Sequence, residues 1–159
     1  MSNSPRLRER IALVTGGSSR LGRATALALA ADVADVAVLA RGSTDLEETA
    51  EQVRAAGVRA RAVVVDLADA KAIEWAMGQV RADLGTVDLL VNAAGTDVPG
   101  PVVELDVAAW ARVLAVNLRA SFLLAKAVWP DMRDNGGGPI VNVSSVAGRR
   151  GWANAAAYC

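Results

Sequence analysis

The sequence predicts an α/β domain, a parallel sheet covered by helices on both faces. Three observations carry that expectation. Five short apolar runs alternate with segments of helical periodicity, the pattern of successive βαβ units wound right-handed. The runs are continuously apolar rather than alternating, as strands buried on both faces must be. The first run breaks into a glycine-rich turn that opens at once into a helix, the context in which such a turn can cradle a pyrophosphate.

In order, Ile11-Ala12-Leu13-Val14 reads as the first strand. Thr15 leads into the turn Gly16-Gly17-Ser18-Ser19-Arg20-Leu21-Gly22, and an Ala/Leu-rich helix runs to Ala31. Asp35–Ala40 is a second strand ending in Arg41-Gly42-Ser43. Thr44-Asp45-Leu46-Glu47 has capping-box spacing, so it should open a helix to about Ala56, with Gly57 as its closing glycine. Val63–Val65 is a third strand, stopping at Asp66-Leu67. A helix from about Asp69 to Leu84 presents Ile73, Met77 and Val80 on one face, and Gly85 ends it. Val87–Val91 forms a fourth strand, stopping at Asn92-Ala93-Ala94-Gly95. After the loop Val98–Pro101, a long helix is expected from about Val107 to Trp129, ended by Pro130. Gly136–Pro139 is a turn, and Ile140–Val143 is a fifth strand, followed by Ser144-Ser145.

Composition narrows the chemistry. With 53% hydrophobic but only 4% aromatic residues, the core must be built from Ala, Val and Leu. Seventeen basic and seventeen acidic residues give a net charge of zero, without the footprint of a nucleic-acid or anionic-membrane binder. The N-terminus, MSNSPRLRER, lacks the apolar core of a secretory signal, and no uninterrupted apolar run reaches the length of a membrane helix. There is no histidine and one cysteine, Cys159, so a histidine triad, a histidine metal site and an intramolecular disulfide are excluded. A soluble cytoplasmic protein is the expectation. The four tryptophans, Trp75, Trp110, Trp129 and Trp152, are expected to pack rather than to touch ligands, with Trp152 the one near any substrate.

In a doubly wound sheet, ligands bind beyond the carboxyl ends of the strands, where the strand order reverses. Gly16–Gly22, Arg41, Asp66, Asn92–Gly95 and Ser144-Ser145 all fall at such ends. Arg41 favours NADP over NAD, because an arginine near the end of the second strand suits a ribose 2′-phosphate, and Asp35 lies at the strand's other end. Arg20 could join Arg41 around that phosphate, or crowd the turn.

With these residues in place, the chain resembles the short-chain dehydrogenase/reductase family, from Ile11 to Tyr158, and within it the 3-oxoacyl-carrier-protein reductases and their relatives. Thr15–Gly22 is similar to the family's TGxxxGxG, with Arg20 at the middle glycine. Asn92–Gly95 is similar to NNAG, with Ala93 for the second Asn. Asn117 matches the family's helix asparagine, and Ser145 precedes Tyr158 by the thirteen residues that separate the family's catalytic Ser and Tyr. Val33 stands where a turn glycine is usual, and the lysine of YxxxK would fall at position 162, past Cys159.

The resemblance implies a Rossmann-like three-layer fold in the strand order 3-2-1-4-5, with residues 1–159 as a single dinucleotide-binding domain lacking the family's last strands. It implies hydride transfer between a ketone and a secondary alcohol. Tyr158 would be the general acid, Ser145 would bond the substrate oxygen, and Asn117 would hold a water of the proton path. An ordinary tyrosine titrates near ~10, so the family's lysine and nicotinamide must supply positive charge beside it. Gly16, Ser18, Ser19, Arg20, Leu21, Gly22 and Arg41 would hold the phosphates, Asp66 and Leu67 the adenine, and Asn92, Ala93, Ala94 and Gly95 the ribose. The expected partners are a small carbonyl or alcohol substrate and, in the full-length form, further copies of the chain; a shortened fold would also expose the edge of its fifth strand, which predicts poor solubility or pairing with another chain. No metal, nucleic acid or membrane is expected. Two other classes fit part of the pattern. One is a dinucleotide-binding module or pseudoenzyme without turnover. The other is an interaction protein using the long helix, with Trp110 and Trp129, as its surface.

Overall fold

A computed structural model describes residues 9–32 and 34–159. Val33 and most of the N-terminal decapeptide therefore lie outside the described residues. Five parallel strands form one sheet in the order β3-β2-β1-β4-β5: β1 Ile11–Thr15, β2 Asp35–Ala40, β3 Ala60–Val64, β4 Leu89–Asn92 and β5 Ile140–Asn142. The strand order reverses between β1 and β4, which is where two crossovers leave a crevice. The helices are α1 Arg20–Ala31, α2 Ser43–Ala55, α3 Ala70–Asp83, α4 Val107–Leu114 and α5 Ala120–Asp134.

Small aliphatic side chains build two apolar layers, one on each face of the sheet. Leu13, Leu39 and Leu90 pack with Met77 of α3 and with Leu124 and Met132 of α5. Their strand neighbours Val14, Val38 and Val91 point the other way, against Ala26 of α1 and Leu46 and Val53 of α2. Every residue of β1 is buried, because this central strand has a partner on each side and a helix layer on each face. β5 is different. Among the described residues it pairs only with β4, and Val141 and the following Val143 are exposed.

Several boundaries differ from the sequence reading. Gly42, extended at φ −82°, caps α2, which begins at Ser43, so Thr44 sits inside the first turn and caps nothing. β3 starts at Ala60 and takes in Arg61, whose ion pair with Asp83 (2.8 Å) lets a charge lie in a strand. Pro130 does not end the long helix. α5 continues through it to Asp134, and this carries Met132, 1% exposed, into the core. A helical proline costs about 3 kcal/mol or more, because it removes the N–H that would bond the carbonyl four residues back, here that of Lys126. Contacts on either side hold the helix through it. Arg81 of α3 donates to the Ala127 carbonyl (2.6 Å) in the turn before Pro130, and pairs with Asp131 (3.0 Å) just after it. Between α4 and α5 lies one π-turn, Ala115–Arg119. Taken as one helix, Val107–Asp134 is long and apolar enough to cross a membrane, with a mean hydropathy of 1.4 over 18 residues, so the expectation of no such run is corrected. Counting uninterrupted apolar residues missed it because Arg112, Asn117 and Arg119 divide the stretch. Val113, Leu124 and Val128 are buried, so one face of the run is part of the core.

The tryptophans also correct the sequence reading. Trp75, Trp110, Trp129 and Trp152 are all about half exposed, and the core is filled without them. Apolar periodicity finds a buried stripe but not which large side chain falls beside it.

Candidate functional site

The carboxyl ends of β1, β2, β3 and β4 open onto one cleft of about 770 Å³. Its first wall is the glycine turn. Gly16 has φ +72°, left-handed backbone that favours glycine, and a Cβ there would come within 3.0 Å of the Ala93 carbonyl oxygen. A Cβ on Gly22 would meet the Gly16 carbonyl at 2.2 Å, so no larger residue fits beneath the turn. Gly17, which the sequence reading passed over, packs flat on Val38, where a Cβ would stand 2.7 Å away. The turn feeds α1, whose cap Ser19 makes no side-chain bond to the helix and whose first turn holds no acidic residue. The helix N–H groups and their partial positive charge are thus left for an anionic group.

Arg20 occupies the family's middle glycine at φ +47° and still lines the cleft. The backbone has kept the glycine-type conformation and accepted the side chain. Arg41, on the far side, is exposed, lines the cleft, and makes no ion pair among the described residues. It immediately precedes Gly42, the cap of α2, so a second helix N-terminus lies beside it.

Asp66 and Leu67 form the next wall. One Asp66 carboxylate oxygen accepts from the Ala68 N–H (3.0 Å), and the other pairs with Arg112 of α4 at 2.9 Å. The Ala68 bond holds this carboxyl below the ordinary carboxylate value. The bond and charge of Arg112 and the charge of Arg41 act the same way, against the opposing effect of burial. Arg119 donates to the Ala68 carbonyl, so two arginines of the long helical run fasten this loop.

The 93–97 loop closes the cleft. Thr15, 1% exposed, accepts from both the Ala93 and Ala94 N–H groups at 3.0 Å, which ties the loop to the end of β1. Asn117, within the π-turn, accepts from the Thr96 N–H and donates to the Thr96 carbonyl, both at 2.8 Å. Its side chain thus clamps the loop, while its neighbour Val116 faces the cleft. Ala93, Ala94 and Gly95 line the cleft with Thr96 and Asp97, but Asn92 does not. Asn92 is buried and donates to Asn142 on β5 (2.8 Å), because the two are register partners and their side chains share one face of the sheet.

Tyr158 is brought to the cleft wall, 142 residues along the chain from Gly16 (158 − 16). The segment before it is held by Gly100, whose N–H donates to the Asn154 carbonyl (2.8 Å). Ser145 heads that segment outside the cleft lining, half-buried, and accepts from the Ala147 N–H (3.1 Å) as the cap of a short 3-10 turn, Val146–Gly148. Its hydroxyl proton is free to donate. Of the sixteen residues expected from sequence, thirteen line one cleft; Asn92, Asn117 and Ser145 do not. Thr15, Thr96, Arg112 and Arg119 were missed. Thr15 had a signal, a polar residue closing an apolar strand before the turn. The arginines had none, since only the fold brings them to residue 66.

A family model described as short chain dehydrogenase matches residues 10–159. The chain belongs to the short-chain dehydrogenase family. It is 41% identical over 153 residues to a cis-4-hydroxycyclohexanecarboxylate dehydrogenase of Sinomonas cyclohexanicum, covering 94% of this chain and 60% of that protein. It is 37% identical over 154 residues to a D-threitol dehydrogenase of Mycolicibacterium smegmatis, covering 97% of this chain and 59% of that one. Among solved structures, a metagenomic short-chain oxidoreductase in complex with NADP superposes with a TM-score of 0.91 at 37% identity, over 96% of this chain and 69% of that one. An NAD+-bound xylitol dehydrogenase does so with a TM-score of 0.89 at 36% identity, over 96% and 59%. The chain spans 46–60% of the length of curated relatives it matches.

Proposed function

We propose that residues 1–159 form a single dinucleotide-binding unit of an oxidoreductase that prefers NADP and interconverts a ketone and a secondary alcohol. The observation that carries the proposal is the one cleft that gathers the glycine turn, Arg41, the Asp66 loop and Tyr158. The residues fit the cofactor. The tight turn that Gly16 and Gly22 permit, and the uncapped start of α1 that it opens into, suit a pyrophosphate, and Arg20 and Arg41 suit a 2′-phosphate. When bound, the nicotinamide supplies or accepts the hydride. Tyr158 then donates its hydroxyl proton to the carbonyl oxygen in reduction, and takes it back in oxidation. Ser145, its oxygen already occupied by the Ala147 N–H, donates to the same substrate oxygen and orients it. Asn117 holds the Thr96 backbone, keeping the 93–97 wall of the cleft in place.

The test is a fluorescence titration with NADPH and NADH, followed by a carbonyl-reduction assay on a ketone panel. NADPH should bind more tightly. Arg41→Ala should weaken NADPH about tenfold, the worth of a charge-assisted hydrogen bond, and leave NADH nearly unchanged. Equal affinity for the two cofactors, unaltered by Arg41→Ala, would remove the NADP preference. Saturable binding with no turnover would leave a binding module in place of an enzyme.

A further inference from the structure

Four charged side chains line the cleft: Arg20, Arg41, Asp66 and Asp97. Two of them, Arg41 and Asp66, follow the ends of neighbouring strands. β2 and β3 pair in register up to Ala40 and Val64, and the Val65 N–H donates to the Ala40 carbonyl (2.8 Å). Arg41 follows Ala40 directly and Asp66 follows Val65, one residue out of register, so both charges lie at this end of the sheet, and the Arg41 charge acts on Asp66 without pairing with it. Asp66 is bonded through one oxygen to the Ala68 N–H and through the other to Arg112, 46 residues further along the chain. Arg41 is left with no ion pair among the described residues, facing the cleft.

We infer that Arg112 is a positioning residue for cofactor selectivity: by occupying Asp66, it leaves the Arg41 guanidinium to a phosphate monoester on the cofactor's ribose. The inference rests on the reading of this cleft as the dinucleotide site. Without Arg112, the Asp66 charge would turn to Arg41, compete for its N–H donors and repel the phosphate. That penalty falls on a phosphorylated ribose and spares one with a free hydroxyl. Arg119 provides the contrast within the same structure. It fastens the same loop through the Ala68 carbonyl, touching no charge, so its loss loosens the wall without altering the charge beside Arg41.

The test uses the full 159-residue chain and its dissociation constants for NADP and NAD. Arg112→Met should lower the NADP-over-NAD preference about threefold, the effect of a half-exposed ion pair, through weaker NADP binding. Arg112→Lys, which keeps the charge, should hold most of the preference. In Arg112→Met with Asp66→Asn, no carboxylate remains to be occupied, and the preference should return. Arg119→Met should weaken both cofactors alike. An unchanged preference in Arg112→Met, an equal loss for both cofactors, or a double variant that fails to restore the preference would overturn the inference and leave the cleft reading standing. A wild-type chain that binds neither cofactor would overturn both.

Discussion

Arg20 and Asp66 show how single residues of this cleft balance backbone strain and charge. A left-handed non-glycine residue costs about 1–2 kcal/mol, and Arg20 holds φ +47° in a turn fixed by the close approach of Gly22 to Gly16 and by the Gly16 and Gly17 N–H groups donating to the Leu39 carbonyl. The sequence alone could not say whether this side chain would crowd the turn. The answer depended on whether the αL backbone would survive the loss of glycine, which is a property of the surrounding contacts. Asp66 makes a prediction in pH. Its carboxyl titrates below the ordinary value of 3.8 in the folded chain, so the charged form is favoured by folding. That contribution is present above the unfolded value near 3.8, and is lost as pH falls through the lower folded value. Asp66→Asn should therefore melt below the wild type at neutral pH, by a small margin because the Arg112 pair is 42% exposed on both sides. The margin should close as pH falls below about 4. Thermal unfolding of both proteins from pH 7 to pH 3 checks this; a margin that widens in acid would sink it.

Among the elements, the long helical run taught most. Its start at Val107 and its buried face were legible, because apolar residues recur at helical spacing. Its end was not, because proline is read as a stop from local rules alone, whereas the buried Met132 and the bonds from Arg81 are tertiary. The cap of α2 failed for a related reason. Thr44 has the spacing of a cap, but Gly42 is the extended cap and the helix starts two residues sooner. Asp69, in contrast, caps α3 with its side chain on the Lys71 and Ala72 N–H groups, near where the sequence placed that start. If the helix beyond Pro130 is held by its core residue, Met132→Ala should cost about 2–5 kcal/mol in denaturant unfolding. The same substitution at the exposed Leu118 should cost far less. Comparable losses at the two positions would mean that the last turn of α5 is not part of the core.

Over the whole molecule, strand order and cleft were readable from sequence because both follow from one regularity. Each buried strand ends in polar or glycine residues at the same edge of the sheet, and the parallel topology gathers those ends. The outer surface obeys no such rule. Among the described residues β5 has a free edge, with Val141 and the following Val143 exposed, and the π-turn and α5 together present Leu118, Phe122 and Trp129 at 66%, 62% and 52% exposure. Unpaired strand N–H and C=O groups beside apolar side chains favour pairing with another chain. The 159-residue chain should therefore self-associate as concentration rises, measured by sedimentation velocity. Two variants separate the surfaces. Val141→Lys places a charge on the open edge, and Phe122→Glu places one on the α5 face; neither side chain lies in either core layer. If association runs through the edge, the first variant should abolish it and the second should leave it. If it runs through α5, the effects should reverse. A chain that stays monomeric across the whole range would show that neither surface needs a partner.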